Sequence, residues 1–329
     1  MRTFDAFVID LEDGKTKLEH KQVTEEFLGE GEVTIEVAYS SVNYKDGLAT
    51  LPKQIIRNYP LIPGIDLSGT VIESKDDRFK EGDEVIATSY EIGVSHHGGF
   101  SEIARVPADW VVPLPDGLSL KEAMVLGTAG FTAALSVQKL EDQGITPEAG
   151  PVLVTGATGG VGSVAVDILA KNGYEVHAST GKESEHAYLR ELGAAEILNR
   201  EDLTPEDRKP LRKEVYAAAV DPVGGRTLEH ILSTLKYGGS VATSGLTGGN
   251  KVETTVFPFI LRGINWLGVD SVFCPMDVRK KIWDRLASDY KPNHLTAGIV
   301  NEITLDELPD TLSSILKGEV RGRTIVKMK

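Results

Sequence analysis

Hydrophobic residues are spaced differently in successive parts of this 329-residue chain, and the spacing predicts its organisation. Up to about residue 110, short apolar runs are separated by glycine and proline, which is typical of strands joined by turns. From Val33 to Tyr39 apolar and polar residues alternate, which predicts a half-buried strand. The first third is therefore expected to be mostly β, with further strands at Ala6–Ile9, Gly69–Glu73, Glu84–Ala87 and Ala104–Pro107.

A helix is predicted next, because Ser119 and Glu122 form the pattern of a capping box before an apolar run. Gly127–Gly130 should interrupt this helix before it resumes. From residue 152 to about residue 272, strand and helix patterns alternate, as in the doubly wound parallel sheet of an α/β protein. The strands of this sheet are predicted at Val152–Thr155, Tyr174–Ala178, Ala195–Leu198, Ala217–Asp221, Ser240–Ser244 and Trp266–Ser271.

Apolar residues of the C-terminal region again recur at the spacing of a helix. Asp277 is predicted to cap a helix, in which Val278, Ile282 and Leu286 share one face. A short amphipathic helix at Leu308–Leu316 and a strand at Thr324–Lys327 should close the chain. The pattern alone allows this tail to join either of the two domains that the length predicts.

The first strand of the parallel sheet runs directly into a glycine-rich turn and then into a helix. This order is typical of dinucleotide binding, because the unpaired N–H groups and the dipole of the helix N-terminus can hold a pyrophosphate. We assign the contacts to Gly159, Gly160, Val161 and Gly162. Ala157 replaces the first glycine of the usual fingerprint, so the neighbouring Gly156 should share the tight turn. The alternative is a glycine-rich turn without a ligand.

The next strand end indicates which dinucleotide is bound. Where NAD sites usually carry an acidic residue, this chain has Ser179, Thr180, Gly181 and Lys182. Two hydroxyls and an ammonium suit a 2′-phosphate, and Arg200 can add a second cation, so we predict NADPH. An ordinary solvated loop is the alternative. The loops at the carboxyl ends of the later strands add Leu246 and Ser271 as predicted cofactor contacts.

Composition narrows the classes of function. A net charge of -14 argues against a nucleic-acid partner and against attraction to acidic membranes. The single cysteine, Cys274, leaves no partner for an internal disulfide and no cluster for a structural zinc. The N-terminus is too polar for a signal peptide, and no apolar run reaches the length of a membrane span. We therefore expect a cytoplasmic protein that acts on a small molecule.

Five segments of the chain carry recognisable motifs: Ser41–Asp46, Pro60–Asp66, Gly127–Thr132, Gly156–Gly162 and Asp270–Val272. Together they resemble the medium-chain dehydrogenase/reductase superfamily, and within it the zinc-independent YhdH/YhfP type of quinone oxidoreductases and NADPH-dependent acrylyl-CoA reductases. The resemblance implies a GroES-like β-barrel-type substrate domain, residues 1–120 with 295–329, and a Rossmann-type NADPH-binding domain, residues 121–294. It also implies a homodimer, with the edge strand near Trp266–Ser271 as a candidate contact.

The resemblance also implies the catalytic residues. Zinc-dependent relatives carry a cysteine near the position of Asn43 and a histidine at Ile65, so both ligands are replaced and no metal is expected. The paired His96 and His97 are expected to be loop residues. Asn43 and Tyr44 should lie near the nicotinamide, with Tyr44 as a hydrogen-bond or proton donor unless it is only a packed aromatic residue. Further implied roles are orientation by Asp66 and cofactor contacts by Thr128 and Arg323, each with a structural alternative.

Without a metal, the easier hydride acceptor is a C=C bond conjugated to a carbonyl, because the charge spreads into an enolate. This chemistry suits an acrylyl thioester, a quinone or an enone alike. The resemblance implies an acyl-CoA thioester, foremost acrylyl-CoA, with an enone or a quinone as the alternative. A nucleotide-binding sensor or structural protein with little turnover is the alternative of another class. Candidate cations for the phosphates of CoA are Lys45, Lys53, Arg57, Arg262, Arg279, Lys280 and Lys281.

Overall fold

The computed structural model describes residues 2–295 and 300–328. Contacts divide the chain into two compact units, which we treat separately. Unit 1 comprises Met1–Thr128, Val272–Ala287 and Leu295–Lys329, and unit 2 comprises Ala129–Ser271 and Ser288–His294. These contact units place residues 121–128 and 272–287 in unit 1, whereas the sequence-based boundaries placed them with the nucleotide-binding domain. The boundaries of independently folding domains stay a prediction.

Unit 1 is built mainly from antiparallel strands. Strands β1 and β2 form a hairpin, and a seven-stranded sheet has the order β14-β15-β3-β4-β5-β7, with β6 also paired to β3. The C-terminal strands β14 and β15 therefore join unit 1. The strands are β1 (Thr3–Glu12), β2 (Lys15–Thr24), β3 (Val33–Val42), β4 (Asp66–Ser74), β5 (Glu84–Thr88), β6 (Ile103–Val106), β7 (Val111–Pro113), β14 (Val300–Ile303) and β15 (Arg323–Lys327).

Strand β3 holds the core of unit 1 together because it pairs with three other strands. Val33, Ile35 and Val37 all lie in the main hydrophobic cluster, as their alternation predicted. The sequence did not predict β2, β7 or β14. Strand β2 is mostly polar and pairs only with β1, so its solvent-facing residues carry no apolar pattern.

Unit 2 contains a six-stranded parallel sheet of order β10-β9-β8-β11-β12-β13, which confirms the doubly wound α/β prediction. The order reverses between β8 and β11, so the ligand crevice is expected at the carboxyl ends of these strands. The bounds are β8 (Val152–Val154), β9 (Val176–Thr180), β10 (Glu196–Asn199), β11 (Tyr216–Asp221), β12 (Leu235–Thr243) and β13 (Asn265–Gly268).

Eight α-helices occur among the described residues of the chain. The predicted capping box is confirmed, since the Ser119 amide donates to the Glu122 carboxylate at 2.9 Å and the Glu122 amide donates to the Ser119 hydroxyl at 3.2 Å. No helix in the described ranges is long and apolar enough to span a membrane. The helices are α1 (Tyr44–Ala49), α2 (Leu120–Glu141), α3 (Gly160–Lys171), α4 (His186–Glu191), α5 (Gly225–Thr234), α6 (Phe257–Arg262), α7 (Met276–Leu286) and α8 (Leu308–Leu316).

The prediction that Asp277 caps α7 is wrong. Pro275 occupies the N-cap and Asp277 lies inside the first turn, without a side-chain capping bond. The fixed φ of proline favours helix entry, so the helix begins at Met276, two residues before the start that a cap at Asp277 predicts. The carboxylate of Asp277 still lies in the first turn, where the helix dipole favours a negative charge.

Candidate active site

Asp66 is the centre of a buried polar cluster in unit 1. It is the first residue of β4, and its side chain is fully buried. Its Oδ2 accepts from the Ser41 hydroxyl at 2.6 Å, the Asn43 amide nitrogen at 2.8 Å and the Thr128 backbone N–H at 2.8 Å. Its Oδ1 accepts from the Thr128 hydroxyl at 2.5 Å. Four donors thus surround a group that, when ionised, only accepts hydrogen bonds.

Sheet register brings Ser41 and Asn43 to Asp66. The antiparallel pairing of β3 with β4 places Ser40 opposite Leu67, so the end of β3 lies beside the start of β4. The Ser40 hydroxyl fixes this junction by donating to the Asp66 carbonyl oxygen at 2.6 Å. The chain then turns at Asn43, which is the N-cap of α1.

Thr128 reaches Asp66 because α2 is broken one residue earlier. Gly127 has φ 51° and ψ -158° inside an otherwise helical segment, as the glycine pattern predicted. A second helical run therefore begins at Thr128, and the Asp66 carboxylate accepts from the N–H group at its start. A Cβ on Gly127 would lie 2.5 Å from Ser41 Oγ, 2.7 Å from Asp66 Oδ2 and 2.8 Å from Arg323 Nη2, so only glycine fits this position.

Arg323 is a further buried member of the cluster. It is 2% exposed, and its guanidinium donates to the carbonyl of Val125 at 2.9 Å and to the carbonyl of Val42 and Asn43 Oδ1 at 3.3 Å each. Burial lowers its pKa, while the charges of Asp66 and Asp46 act in the opposite direction. These bonds all go to unit 1, and the cofactor contact assigned to Arg323 stays a prediction.

The amide of Asn43 is held in a defined orientation by these neighbours. Its Nδ2 donates to Asp66 and its Oδ1 accepts from Arg323, so nitrogen and oxygen are distinguished by their partners. A side-chain hydrogen bond of Asn43 also acts on the neighbouring Asp46, where it lowers the pKa against the larger effect of burial. Asn43 is 7% exposed, so only a small part of this oriented amide is open to a ligand.

Asp46 is a site residue that the sequence analysis missed. It is 1% exposed and accepts from the Asn43 backbone N–H at 2.8 Å and from the Ile65 N–H at 3.0 Å. Burial, and secondarily the charge of Asp66, raises its pKa to about 7. The available signal was the capping pattern, with asparagine at the N-cap and an acid three residues later.

Ser89 is a second missed residue. Its hydroxyl lies 2.9 Å from the Thr128 hydroxyl, and since Thr128 donates to Asp66, Ser89 is the donor in this pair. Ser89 and the following Tyr90 both have positive φ, 65° and 49°, which is uncommon for residues other than glycine. Sequence offered no signal for this backbone conformation.

Tyr44 lies outside the hydrogen-bonded cluster. It is the first residue of α1 and its side chain is 41% exposed. In the described part of the chain its phenol has no hydrogen-bond partner. The structure therefore brings together Asn43, Asp66 and Thr128 of the predicted residues, and leaves Tyr44 beside them facing solvent.

The candidate cofactor turn of unit 2 has the predicted geometry. Gly156 takes φ 54°, and its carbonyl accepts from the Gly159 N–H at 2.9 Å, so Gly156 makes the tight turn in place of Ala157. A Cβ on Gly162 would lie 2.3 Å from the Gly156 carbonyl oxygen, which explains the glycine there. Helix α3 begins at Gly160, followed by Val161, and its N-terminal N–H groups can hold a pyrophosphate.

The residues assigned to the 2′-phosphate also lie together. Thr180 is the last residue of β9 and pairs with Asn199, the residue before Arg200. The Thr180 hydroxyl accepts from the Lys182 N–H at 3.1 Å. The Arg200 guanidinium lies against Gly181, because a Cβ there would be 3.2 Å from its Cζ, Nε and Nη2 atoms. Ser179 is 2% exposed and therefore less accessible to a ligand than the others.

Arg200 is exposed and has no ion-pair or hydrogen-bond partner among the described residues. The Arg200 guanidinium therefore lies unpaired beside Gly181, and Lys182 is the next residue. Two cationic side chains so close together can bind a phosphate group. The cradle at Gly159 and Gly162 and this cationic loop are both compatible with NADPH. Leu246, which is 63% exposed, and Ser271 lie beyond the ends of β12 and β13, and their contacts stay predictions.

Two loops at the carboxyl edge of the parallel sheet, residues 221–225 and 244–249, are hydrogen-bonded and closely packed against each other. Asp221 is fully buried, burial raises its pKa, and it accepts from the Thr155 hydroxyl at 2.6 Å and from the N–H of Val223 at 3.1 Å. The Gly248 N–H donates to the Val223 carbonyl at 2.8 Å. A Cβ on Gly245 would lie 2.1 Å from the Pro222 carbonyl oxygen. The two loops thus form one glycine-lined unit.

The two histidines and Arg279, which the sequence analysis considered, are bonded to groups of the protein itself. His96 bonds to the Arg105 carbonyl at 2.7 Å, and His97 accepts from the Ile62 N–H at 3.1 Å while burial lowers its pKa to about 4. Arg279 is fully buried and bonds to Thr88. Within the described residues no group of three or more His, Cys, Asp or Glu side chains could hold a metal ion.

Comparison with known families defines the class. The family model described as "Alcohol dehydrogenase GroES-like domain" matches residues 29–116, and the one described as "Zinc-binding dehydrogenase" matches residues 160–288. Together with the two units and the dinucleotide turn, these matches identify a medium-chain dehydrogenase/reductase with a GroES-like and a Rossmann-type part.

Individual relatives narrow this class. The chain is 58% identical over 309 residues, 94% of each sequence, to YhfP of Bacillus subtilis (strain 168), provisionally named a quinone oxidoreductase. It is 50% identical over 326 residues, 98% of each sequence, to the acrylyl-CoA reductase AcuI of Ruegeria pomeroyi. The yhdH oxidoreductase of Salmonella enterica, solved in complex with NADP, matches with TM-score 0.96 and 48% identity, covering 99% of this chain and 100% of that one. The chain belongs to the YhdH/YhfP family of medium-chain dehydrogenases/reductases.

Proposed function

We propose that the protein is an NADPH-dependent reductase of C=C bonds conjugated to a carbonyl group, and that it converts acrylyl-CoA to propionyl-CoA. The observation that carries the proposal is the fixed amide of Asn43. It stands where zinc-dependent relatives have a metal ligand, and it offers an N–H donor instead of a Lewis acid. Such a donor suits an enolate oxygen, which is weaker in charge density than the alkoxide formed from a simple ketone.

NADPH supplies a hydride for the β carbon of the substrate when it is bound. The residues proposed to hold it are Gly159–Gly162 for the pyrophosphate and Thr180, Lys182 and Arg200 for the 2′-phosphate. YhfP has been solved with NAD bound, at 55% identity to this chain, TM-score 0.97 and full coverage of both chains. The unpaired Arg200 supports NADPH for the present chain, because NAD offers it no phosphate at that position.

The substrate carbonyl is proposed to accept from Asn43 Nδ2, whose orientation Asp66 and Arg323 fix. As the β carbon receives hydride, charge develops on the carbonyl oxygen, and the amide N–H stabilises it. The α carbon then needs a proton. Tyr44 is the proposed donor, because its phenol is exposed, carries no internal hydrogen bond and directly follows Asn43 in the chain.

A quinone is the second candidate acceptor, supported by the name of the 58% identical YhfP. NADPH oxidation with acrylyl-CoA and with a small quinone at equal concentrations, and with NADH as a control, separates the two. The proposal expects a specificity constant for acrylyl-CoA at least about 10²-fold above that for the quinone, because a quinone has a carbonyl group but lacks the carrier of the thioester. Tight NADPH binding without turnover of any acceptor would instead indicate a binding protein.

A cytoplasmic homodimer is part of the same proposal. Its support is the exposed apolar surface of α6 and the sheet-edge strand β13, where Phe257, Ile260, Leu261 and Trp266 are 47%, 68%, 57% and 42% exposed. Exposed apolar patches of this kind are typical of protein–protein contacts. Sedimentation of the wild type against Ile260→Glu tests the contact, since a monomeric wild type would refute it.

A further inference from the structure

A surface next to Asn43 differs in charge from the rest of the molecule. The chain has 49 Asp and Glu residues in 329, yet none occurs between Asp46 and Asp66. The same stretch contains Lys53 and Arg57, and Lys45 lies just before it. This local excess of cations is unusual for a protein with a net charge of -14.

The structure shows which side of this stretch faces solvent. Helix α1 turns Gly47 toward α8, where a Cβ would lie 2.9 Å from Ile315 and 3.0 Å from Leu316. Asp46 is buried, whereas Tyr44 is exposed and Lys45 is half-buried. The exposed Leu51 and Lys53 follow in the turn after α1.

Few charges oppose these cations. Arg57 is paired with Glu91 at 3.5 Å, but its side chain remains 68% exposed. In the described residues Lys45 and Lys53 have no ion pair. Asp46 and Asp66 are buried beneath the surface and bonded to internal donors. Two other candidate cations do not compete, because Arg262 and Arg279 donate to backbone carbonyls.

We propose that this surface, Tyr44–Arg57, binds the phosphorylated carrier arm of the substrate thioester, with the phosphates at Lys45, Lys53 and Arg57 and the apolar amide arm along Tyr44 and Leu51. The inference rests on the proposed function and deepens it. A carrier attached to a carbonyl at Asn43 reaches this surface directly, since α1 begins at the next residue. A quinone has no phosphate to use it.

The test compares two thioesters of acrylate, one with CoA and one with N-acetylcysteamine, which has no phosphate. The variant is Lys53→Gln with Arg57→Gln, and the matched control is Lys75→Gln, an exposed lysine just beyond the far end of β4 from Asp66. For the double variant, kcat/KM with the CoA ester should fall about 5- to 30-fold. The variant loses two exposed ion pairs to phosphate, and each of them contributes modestly to binding. In the same variant, kcat/KM for the N-acetylcysteamine ester should change less than about twofold. Lys75→Gln should change kcat/KM for either ester by less than about twofold, as is usual for a surface substitution.

Equal losses with both esters, or no loss with the CoA ester, would overturn the carrier site. Calorimetric binding of coenzyme A itself gives an answer that does not depend on turnover. Weaker binding by the double variant than by wild type supports the site, whereas equal binding, or none by wild type, refutes it. Failure of the proposed function is a separate outcome, in which wild type reduces neither thioester.

Discussion

The Asp66 cluster of unit 1 and the Arg200 loop of unit 2 satisfy their charges in opposite ways. Asp66 is fully buried and accepts four hydrogen bonds from the protein. Arg200 is exposed, rests against a glycine and has no partner among the described residues. One charge is already neutralised by the fold, whereas the other is left for a ligand.

This contrast separates residues that orient a site from residues that bind. A buried charge with a complete set of partners fixes the groups around it, and removing it leaves those groups without a partner. An exposed charge without a partner contributes little to folding and keeps its interaction free energy for the ligand. Substitutions in the two regions should therefore change different measurements.

Asp66→Asn should have the largest effect. The new amide nitrogen would face donors, and Arg323 would lose a nearby opposite charge, so the free energy of unfolding should fall by about 3–5 kcal/mol. Turnover should fall at least about 10²-fold, since Asn43 would no longer be oriented. Denaturant unfolding and NADPH oxidation measure the two effects. Ser41→Ala is the control, with a cost of about 1 kcal/mol because it removes a single donor. A fully stable Asp66→Asn protein would contradict the orienting role.

Gly127→Ala tests how closely the cluster is packed. The added Cβ would collide with Ser41, Asp66 and Arg323 and would also have a positive φ. We expect a loss of about 2–4 kcal/mol in unfolding free energy, from overpacking and backbone strain together. Gly263→Ala is the matched control, because Gly263 has φ +59° with nothing within 4 Å. It should cost only about 1 kcal/mol. Equal losses in thermal unfolding would show that packing at Gly127 is unimportant.

Asp46 predicts how stability depends on pH. Its pKa is about 7 in the folded protein against an ordinary value of 3.8, so between these values the folded state holds the additional proton. Rising pH therefore lowers the free energy of unfolding across this window, and the contribution that is present below it is lost by about pH 7. Asp46→Asn should remove a decrease of about 2–4 kcal/mol between pH 4 and 7. The free energy of unfolding is measured for wild type and Asp46→Asn from pH 4 to pH 7. If it changes with pH by the same amount in both proteins, the raised pKa of Asp46 is refuted.

Arg200→Ala should have the smallest effect on folding and a selective effect on the cofactor. Loss of one charged contact to the 2′-phosphate should raise KM for NADPH about 10- to 100-fold, with KM for NADH nearly unchanged. Stability should change by less than about 0.5 kcal/mol. Lys213→Ala, an exposed cation elsewhere in unit 2, should alter neither KM. Equal increases for both cofactors would place the phosphate away from Arg200.

The fold was largely predictable because the central strands of the parallel sheet contain buried apolar runs, as in Val152–Val154 and in most of Tyr216–Asp221. The glycine turn was predictable because strand, turn and helix are adjacent in sequence. Strand β2 was not, because its partner strand and not its own composition keeps it in place.

The candidate site was predictable only in part. Asn43, Asp66 and Thr128 came from motifs, and the structure joins them. The burial of Arg323 was not legible, because its bond to the Val42 carbonyl joins residues 281 positions apart. Lysine and arginine are mostly exposed in proteins, so sequence favoured a surface or ligand role for it. Ser89 was missed because its contact depends on a left-handed backbone that serine rarely adopts.

The joined loops 221–225 and 244–249 restrict where this protein can be diversified. Carbonyl oxygens occupy the space of any side chain at Gly224, Gly225 and Gly245, so a mutant library that randomises these positions would consist mostly of misfolded members. Leu246 and Thr247 at the exposed tip carry no such restriction. A laboratory search for altered cofactor or acceptor preference would recover more folded variants from those two positions than from the glycines around them.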